Sequence, residues 1–167
     1  AGALRPGGAG AGRGAGRAGR GARLAAIMAR AKQHAPQARL DGVLVQRMSQ
    51  KGMELILGAR RDGQFGSLVL VGTGGVQAEL WRDVALDLAP VSPARAEEML
   101  RSLKGFPLLD GFRGAPKADI AAVAAAVSAF SVLVAEAGEK LQEAEVNPLI
   151  CGPWGCLAVD GLVRCGP

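Results

Sequence analysis

Tyrosine is absent from this 167-residue chain, and four Phe and two Trp are its only aromatic residues. Yet 49% of the residues are hydrophobic, so any core must be built from Ala, Val and Leu. The length suits one ordinary domain with a real core. Long hydrophobic runs are also missing. The longest, around residues 120–134, is rich in Ala and interrupted by Ser128 and Ser131, so no membrane span and no membrane partner are expected. The one histidine, His34, sits among Lys32, Gln33 and Pro36 with no partner in sequence; it reads as a surface residue rather than a catalytic one. Cysteines number three, Cys151, Cys156 and Cys165. Their C-x4-C-x8-C spacing matches no standard zinc pattern, no His lies nearby, and reduced thiols are expected. Cys151 and Cys156 read as facing each other across a short hairpin. An initial Met is lacking too, and the chain is therefore expected to be a fragment.

Acidic residues are missing from the first 23 positions, which hold Arg5, Arg13, Arg17, Arg20 and Arg23. The net charge of +5 comes from that stretch, because the remainder carries fifteen basic and fifteen acidic residues. The globular part therefore lacks the electrostatic footprint of a nucleic-acid-binding protein. Residues 1–22 are almost entirely Gly, Ala and Arg. Such a segment buries too little apolar surface to offset its ordering entropy and is expected to be a disordered tail, with residues 23–167 as the domain. An Arg/Gly tail can bind RNA or acidic surfaces, or resemble a transit peptide; composition drift is the simplest account of it.

What is present has a clear order. Leu24, Ile27 and Met28 are spaced for one helical face between Arg23 and about Gln33, and Pro36 ends that helix. Three short strands should follow: a buried one over Gly42–Met48, another over Gly52–Arg60, and a third over Phe65–Gly72. Asp62-Gly63 supplies a hairpin signal between the last two. Tight links of this kind favour an antiparallel meander over βαβ crossovers. Gly72-Thr73-Gly74-Gly75 comes next, a loop able to show backbone N–H groups to phosphate or simply a tight turn; it is neither a P-loop nor a Rossmann fingerprint. Val84–Leu88 alternates like a short strand that Pro90 stops. Ser92-Pro93 is a helix start, running to about Leu103. Gly105–Gly114 reads as a loop holding Asp110 and Arg113. Asp119 caps the longest helix, whose buried stripe is Ile120, Val123, Ala124, Val127, Phe130, Ser131 and Val134, and Gly138 ends it.

The last stretch concentrates the chemistry. Glu145 and Asn147 are two residues apart on a strand expected over Leu141–Val146, so they share a face. A return through Gly152-Pro153-Trp154-Gly155 into Leu157-Ala158-Val159 can bring Asp160 beside them. Three hard oxygen donors without His or Cys suit Mg²⁺ bound together with phosphate. A polar strand edge ended by an Asn-Pro turn explains the same residues.

The ordered set Gly42-Val43-Leu44-Val45-Gln46-Arg47-Met48, Gly52-Met53-Glu54-Leu55-Ile56-Leu57-Gly58, Asp62 with Phe65-Gly66, Gly74-Gly75 with Glu79, Gly111-Phe112-Arg113-Gly114, Glu145-Val146-Asn147-Pro148-Leu149 and Val159-Asp160 resembles the ATP-grasp domain of ADP-forming (NDP-forming) acyl-CoA synthetases such as acetate–CoA ligase. It is similar, more distantly, to the β subunit of succinyl-CoA synthetase. The resemblance covers about residues 35–164. It implies an α+β fold, the C-terminal half of an ATP-grasp domain with a mostly antiparallel sheet and two or three packed helices. It also implies a hinge, Val45, Gln46, Arg47 and Met48, that reads the adenine edge. Glu54 would face the nucleotide, Gly74 and Gly75 would lie near the phosphates, and Asn147 and Asp160 would ligate Mg²⁺ with Glu145 beside them. Arg113 and Glu79 match family positions without a firm role.

By the same resemblance the substrate is ATP, the product ADP, and the partners are CoA-binding and ligase domains, or a subunit, carrying a phosphorylated histidine. The setting implied is cytoplasmic. The family's front lobe, with a phosphate-binding lysine and a His-containing segment, normally precedes the hinge. Here that space holds the Gly/Arg tail and one helix, and the His role is not carried over to His34. The expectation is part of an acid–CoA ligase that does not complete catalysis alone. The alternatives are a non-catalytic regulatory or degenerate synthetase-like domain, for example one fused to a protein acetyltransferase, and an RNA-binding protein with an Arg/Gly tail.

Overall fold

The computed structural model describes residues 17–75 and 83–166. They fall into two compact units, one ending at Met48 and the other starting at Ser49.

The first unit holds one helix, α1 (Arg17–His34). It begins six residues before the expected start. Residues 17–22 are therefore helical rather than part of a disordered tail; the expectation for 1–16 lies outside the described residues. Ala and Arg are strong helix formers, and Gly19 and Gly21 do not break the run. His34 is its exposed last residue. Beyond it, the stretch read as a buried strand, Gly42–Met48, has no regular structure, and Leu44, Val45 and Met48 are each more than 70% exposed. An apolar run signals a preference for burial but does not supply a pairing strand, and this unit's described residues contain none.

In the second unit the expected meander forms in part: the strands read over 52–60 and 65–72 pair, but the third member is Val84–Leu88 and not the 42–48 stretch. Strands β1 (Met53–Asp62), β2 (Gly66–Thr73) and β3 (Val84–Leu88) pair antiparallel in sequence order. Asp62 closes the β1–β2 turn by accepting the N–H groups of Gln64 and Phe65. Those two bonds, Phe65's foremost, hold its carboxyl below the usual carboxylate range. After β3 come α2 (Pro93–Ser102), the short α3 (Phe106–Leu109), a 3₁₀ turn (Phe112–Gly114) and α4 (Ile120–Ala137). The segment read as a plain loop, 105–114, thus carries two short helical turns. Both expected caps form: Ser92 Oγ accepts from Arg95 N, and Asp119 Oδ1 from Ala122 N.

The chain then returns as β4 (Leu141–Gly152), β5 (Gly155–Ala158) and β6 (Gly161–Cys165). Among the described residues the strand order is β3-β2-β1-β4-β5, with β6 also on β4. β4 pairs antiparallel with β1, so first and last parts of this unit meet at the sheet centre. β4 runs six residues beyond the expected strand end, through the Asn147–Pro148 peptide, which is cis. β6 was not foreseen. β5 and β6 lie end to end along one edge of β4, and Asp160 sits at the break between them.

One face of the sheet is covered. Leu55, Leu57, Val69 and Val71 pack against Met99, Leu100, Val123 and Val127 from α2 and α4. Residues 120–140 prove long and apolar enough to cross a membrane by length and composition, with mean hydropathy 2.1, contrary to the sequence reading. The two serines leave the mean hydropathy high, but they do position the helix against the sheet. Ser131 Oγ accepts from Val91 N at 2.9 Å, and Ser128 Oγ donates to Val91 O at 2.8 Å. The turn leaving β3 is thereby satisfied inside the core. Ser131→Ala leaves a buried N–H without its acceptor, and we expect a loss of about 2 kcal/mol in denaturant unfolding. The opposite face of the sheet is open, with Val84, Leu86 and Leu88 about half exposed on β3.

Candidate nucleotide and metal site

The open face carries the charged motif. Glu145 pairs with Gly58 across β1–β4, on the side away from the helices, because neighbouring Leu57 and Val146 point into the core. The β1–β4 register shifts between Leu55 and Leu57, opposite Asn147-Pro148. This bulge keeps Leu149 and Cys151 in the core while turning Asn147 outward, exposed.

Three contacts define the motif. Asn147 Nδ2 donates to Glu145 Oε1 at 2.9 Å. Asn147 N donates to Asp160 O at 3.0 Å, and Val159 N donates to Pro148 O at 3.1 Å. Glu145, Asn147 and Asp160 are therefore brought together, and the break between β5 and β6 is where Asp160 enters. The donor set fits a hard cation. With its N–H₂ turned to Glu145, the Asn147 amide leaves Oδ1 as the atom facing elsewhere. Glu145 orients Asn147. Among the described residues no cluster of three or more His, Cys, Asp or Glu occurs.

Glu54 and the Gly-Gly turn also meet. Gly74 N donates to Glu54 O at 2.7 Å. A Cβ on Gly74 would stand 2.9 Å from that same oxygen, and Gly75 has φ +74° beside the Glu54 carboxylate. Only glycine fits the first position, and glycine is strongly favoured at the second. Glu79 lies in 76–82, outside the described residues. Asp83, where the described chain resumes, carries no signal in the sequence: the residue is 5% exposed, and its carboxylate accepts from Lys104 N and Gly105 N, both at 2.7 Å. Arg113 is the one non-glycine residue with positive φ among those described (φ 53°), its guanidinium 5.3 Å from the Phe112 ring centre. Val45, Gln46, Arg47 and Met48 are in the other unit, exposed.

Beside Glu145 the open face forms a groove of about 440 Å³ floored by Ile56, Leu68, Leu70 and Leu86. A larger cleft, about 680 Å³, lies at the far end of β1. Its lining includes the ion pairs Arg61–Glu139 (2.9 Å) and Arg164–Glu143 (3.5 Å), and neither Asn147 nor Asp160 borders it. The smaller groove joins an apolar floor to the Glu145 carboxylate, the part of the motif that reaches it; Asn147 and Asp160 line neither cavity.

Comparison with known proteins bears on this directly. Residues 21–165 match the family profile described as an ATP-grasp domain. The chain is 40% identical over 134 residues to an ADP-forming acetate–CoA ligase I of Archaeoglobus fulgidus, covering 80% of this chain and 19% of that protein. It is 37% identical over 134 residues to the β subunit of the Pyrococcus furiosus ADP-forming acetate–CoA ligase I, covering 80% of this chain and 57% of that one. Among solved structures, an acetyl-coenzyme A synthetase 1 of Ca. Korarchaeum cryptofilum, in complex with coenzyme A, Ca-AMPCP and HgCl+, matches with TM-score 0.78 and 38% identity over 86% of this chain and 62% of that chain. The same enzyme in complex with coenzyme A and Mg-AMPPCP, its phosphohistidine segment pointing towards the nucleotide binding site, matches with TM-score 0.67 and 40% identity over 71% and 55%. The chain thus spans between about a fifth and three-fifths of the length of these relatives. It belongs to the ATP-grasp domain family and is related to the ADP-forming acetate– and acyl-CoA ligases.

Proposed function

We propose that this chain is the Mg·ATP-binding part of an ADP-forming acyl-CoA synthetase, whose overall reaction converts acid, CoA and ATP to acyl-CoA, ADP and phosphate. The observation that carries the reading is the coupling of Asn147 to both Glu145 and Asp160 at the β4 bulge, beside an apolar groove. Asn147 and Asp160 would hold the cation, with Glu145 fixing the amide. When bound, Mg²⁺ neutralises phosphate charge. The chain's own residues supply the floor for the base, in Ile56, Leu70 and Leu86, and the Gly74-Gly75 backbone near the phosphates. The relatives' CoA complexes and the phosphohistidine segment of the Korarchaeum enzyme support a histidine carried on another segment as the phosphoryl acceptor.

Calorimetry with Mg·ADP tests this, first on the chain alone and then with the remaining segments of a relative's β subunit supplied. Saturable binding in the second arm, dependent on Mg²⁺, is the expected result. Equal heats with and without Mg²⁺, or none in either arm, would defeat the proposal.

A further inference from the structure

Two thiols stand opposite each other on the β4–β5 hairpin, four residues from Asn147 on one strand and four from Asp160 on the other. The register pairs Cys151 with Cys156 and Gly152 with Gly155 around the two-residue turn Pro153-Trp154. The bonding pattern identifies which kind of pair this is. A two-residue hairpin turn closes on a hydrogen-bonded pair, here 152/155, and Val159 N donating across to Pro148 O is in phase with it, whereas the Asn147 N–Asp160 O bond lies beyond the end of β5 and is out of that phase. Hydrogen-bonded pairs alternate with non-bonded ones along an antiparallel ladder. The 150/157 and 152/155 pairs are then hydrogen-bonded, and 149/158 and 151/156 are not. In the non-hydrogen-bonded type the Cα atoms are about 4.5 Å apart and the side chains approach most closely. That spacing falls within the roughly 4.4–6.8 Å that a disulfide spans. Both side chains also point to the helix side of the sheet. Cys151 is buried in the main core with Cys156 packed against it, and Cys156 Sγ lies 3.7 Å from Ala122 O in the first turn of α4.

We propose that Cys151 and Cys156 are a redox modification site, a dithiol that closes to an internal disulfide without rearranging the hairpin. Both thiols are free in the structure. The oxidant is a small-molecule disulfide. Cys156, half-buried, loses its proton and attacks one oxidant sulfur, releasing one thiol and leaving a mixed disulfide on Cys156. Cys151 then loses its proton and attacks Cys156 Sγ, expelling the second thiol. Two protein thiols are oxidised, one external disulfide is reduced to two thiols, and no other reactant is needed. Burial pushes the Cys151 thiol up to about 12 and, to a lesser extent, raises Cys156. The closure is therefore slow at neutral pH and accelerates with rising pH, since the thiolate is the nucleophile. Cys165, exposed on β6, reacts first but has no facing thiol in the ladder: its partner across β4 is Leu141.

The sequence makes the product easy to identify. No Lys or Arg lies between Lys140 and Arg164, so trypsin delivers Cys151 and Cys156 on one peptide, 141–164, and Cys165 on another. The native full chain is incubated with oxidised glutathione at pH 8.5, quenched with an alkylating agent under denaturing conditions, digested and weighed. The expected result is a 141–164 peptide about 2 Da lighter than the unmodified dithiol, carrying neither alkyl group nor glutathione. The same product should appear in Cys165→Ser, which removes exchange through the third thiol. Cys151→Ser should instead give a peptide holding one glutathione on Cys156. A wild-type peptide that keeps one glutathione and one alkylated cysteine, or two alkylated cysteines after prolonged oxidation, would overturn the assignment. So would a bond that appears only after the chain is unfolded.

Discussion

Replacing Asn147 and Asp160 together with alanine is expected to weaken Mg²⁺-dependent nucleotide binding by about two orders of magnitude or more, measured by calorimetry in the assembly that binds Mg·ADP. The reason is donor count. The site offers one amide oxygen and two carboxylates from three positions, and Glu145 already accepts the Asn147 N–H₂ group. Removing both of the groups that would hold the cation leaves only the orienting Glu145 carboxylate, and a lone carboxylate in water holds Mg²⁺ weakly. The single changes should not be equal. Glu145→Gln keeps the shape but weakens the orientation of the Asn147 amide, an effect comparable to losing an outer-shell partner, about 10–100-fold. Asn147→Asp keeps a hard oxygen but faces the Glu145 carboxylate at close range, so it should bind poorly at neutral pH and improve when Glu145 is also changed to Gln. The backbone bonds between Asn147 and Asp160 and between Val159 and Pro148 survive all of these, so the fold serves as an internal control. Nucleotide binding that stays within threefold of wild type in the double alanine variant would remove Asn147 and Asp160 from the metal site.

Much of this arrangement was readable from the sequence because its signals are local. Ser92 and Asp119 announce caps by residue type and position, and both caps form. The alternation along Val84–Leu88 is a half-buried strand, and that is what β3 is. Period-2 spacing placed Glu145 and Asn147 on one face, and the side-chain bond between them follows. What was not readable depends on partners distant in sequence. Val43, Leu44 and Val45 have the composition of a buried strand, yet a strand needs a neighbour for its backbone, and the described residues of their own unit contain none. β6 escaped notice because Leu162 and Val163 pair with the N-terminal half of β4, a half that a short-strand reading assigned no second partner. The bulge at Asn147-Pro148 was hidden for the opposite reason: an Asn-Pro pair reads as a turn, but pairing on both sides carries β4 straight through it. Ser128 and Ser131 read as interruptions of an apolar helix. They are instead the groups that let a polar turn be buried.

Asp83 is the clearest case of a residue with no local signature and a large expected effect. It stands immediately before β3, and nothing in the sequence around it suggests burial. The fold gives it three bonds: its carbonyl accepts Thr73 N at 3.1 Å, and its carboxylate oxygens accept Lys104 N and Gly105 N at 2.7 Å. The carboxylate therefore pins the turn between α2 and α3 to the end of β2, beside the Gly74-Gly75 turn. A Cβ at Gly105 would meet Thr73 Cγ2 at 2.4 Å and Asp83 Oδ2 at 3.1 Å, which shows how tightly these segments are drawn together. Asp83→Ala removes the acceptor for two donors, of which Gly105 N is buried, and opens a polar hole that neighbouring side chains cannot fill. The expected loss is about 3 kcal/mol, or a fall of roughly 10 °C in the unfolding midpoint of a domain of this size. Asp83→Asn keeps the volume and one oxygen acceptor but sets its N–H₂ against a backbone N–H, so it should recover less than half of that loss. Because the pinned turn adjoins Gly74-Gly75, Asp83→Ala should also weaken Mg·ADP binding at temperatures where the domain is still folded. A midpoint within 2 °C of wild type would mean that the two backbone donors find other acceptors, and that the clasp is not what holds β2 to the α2–α3 turn.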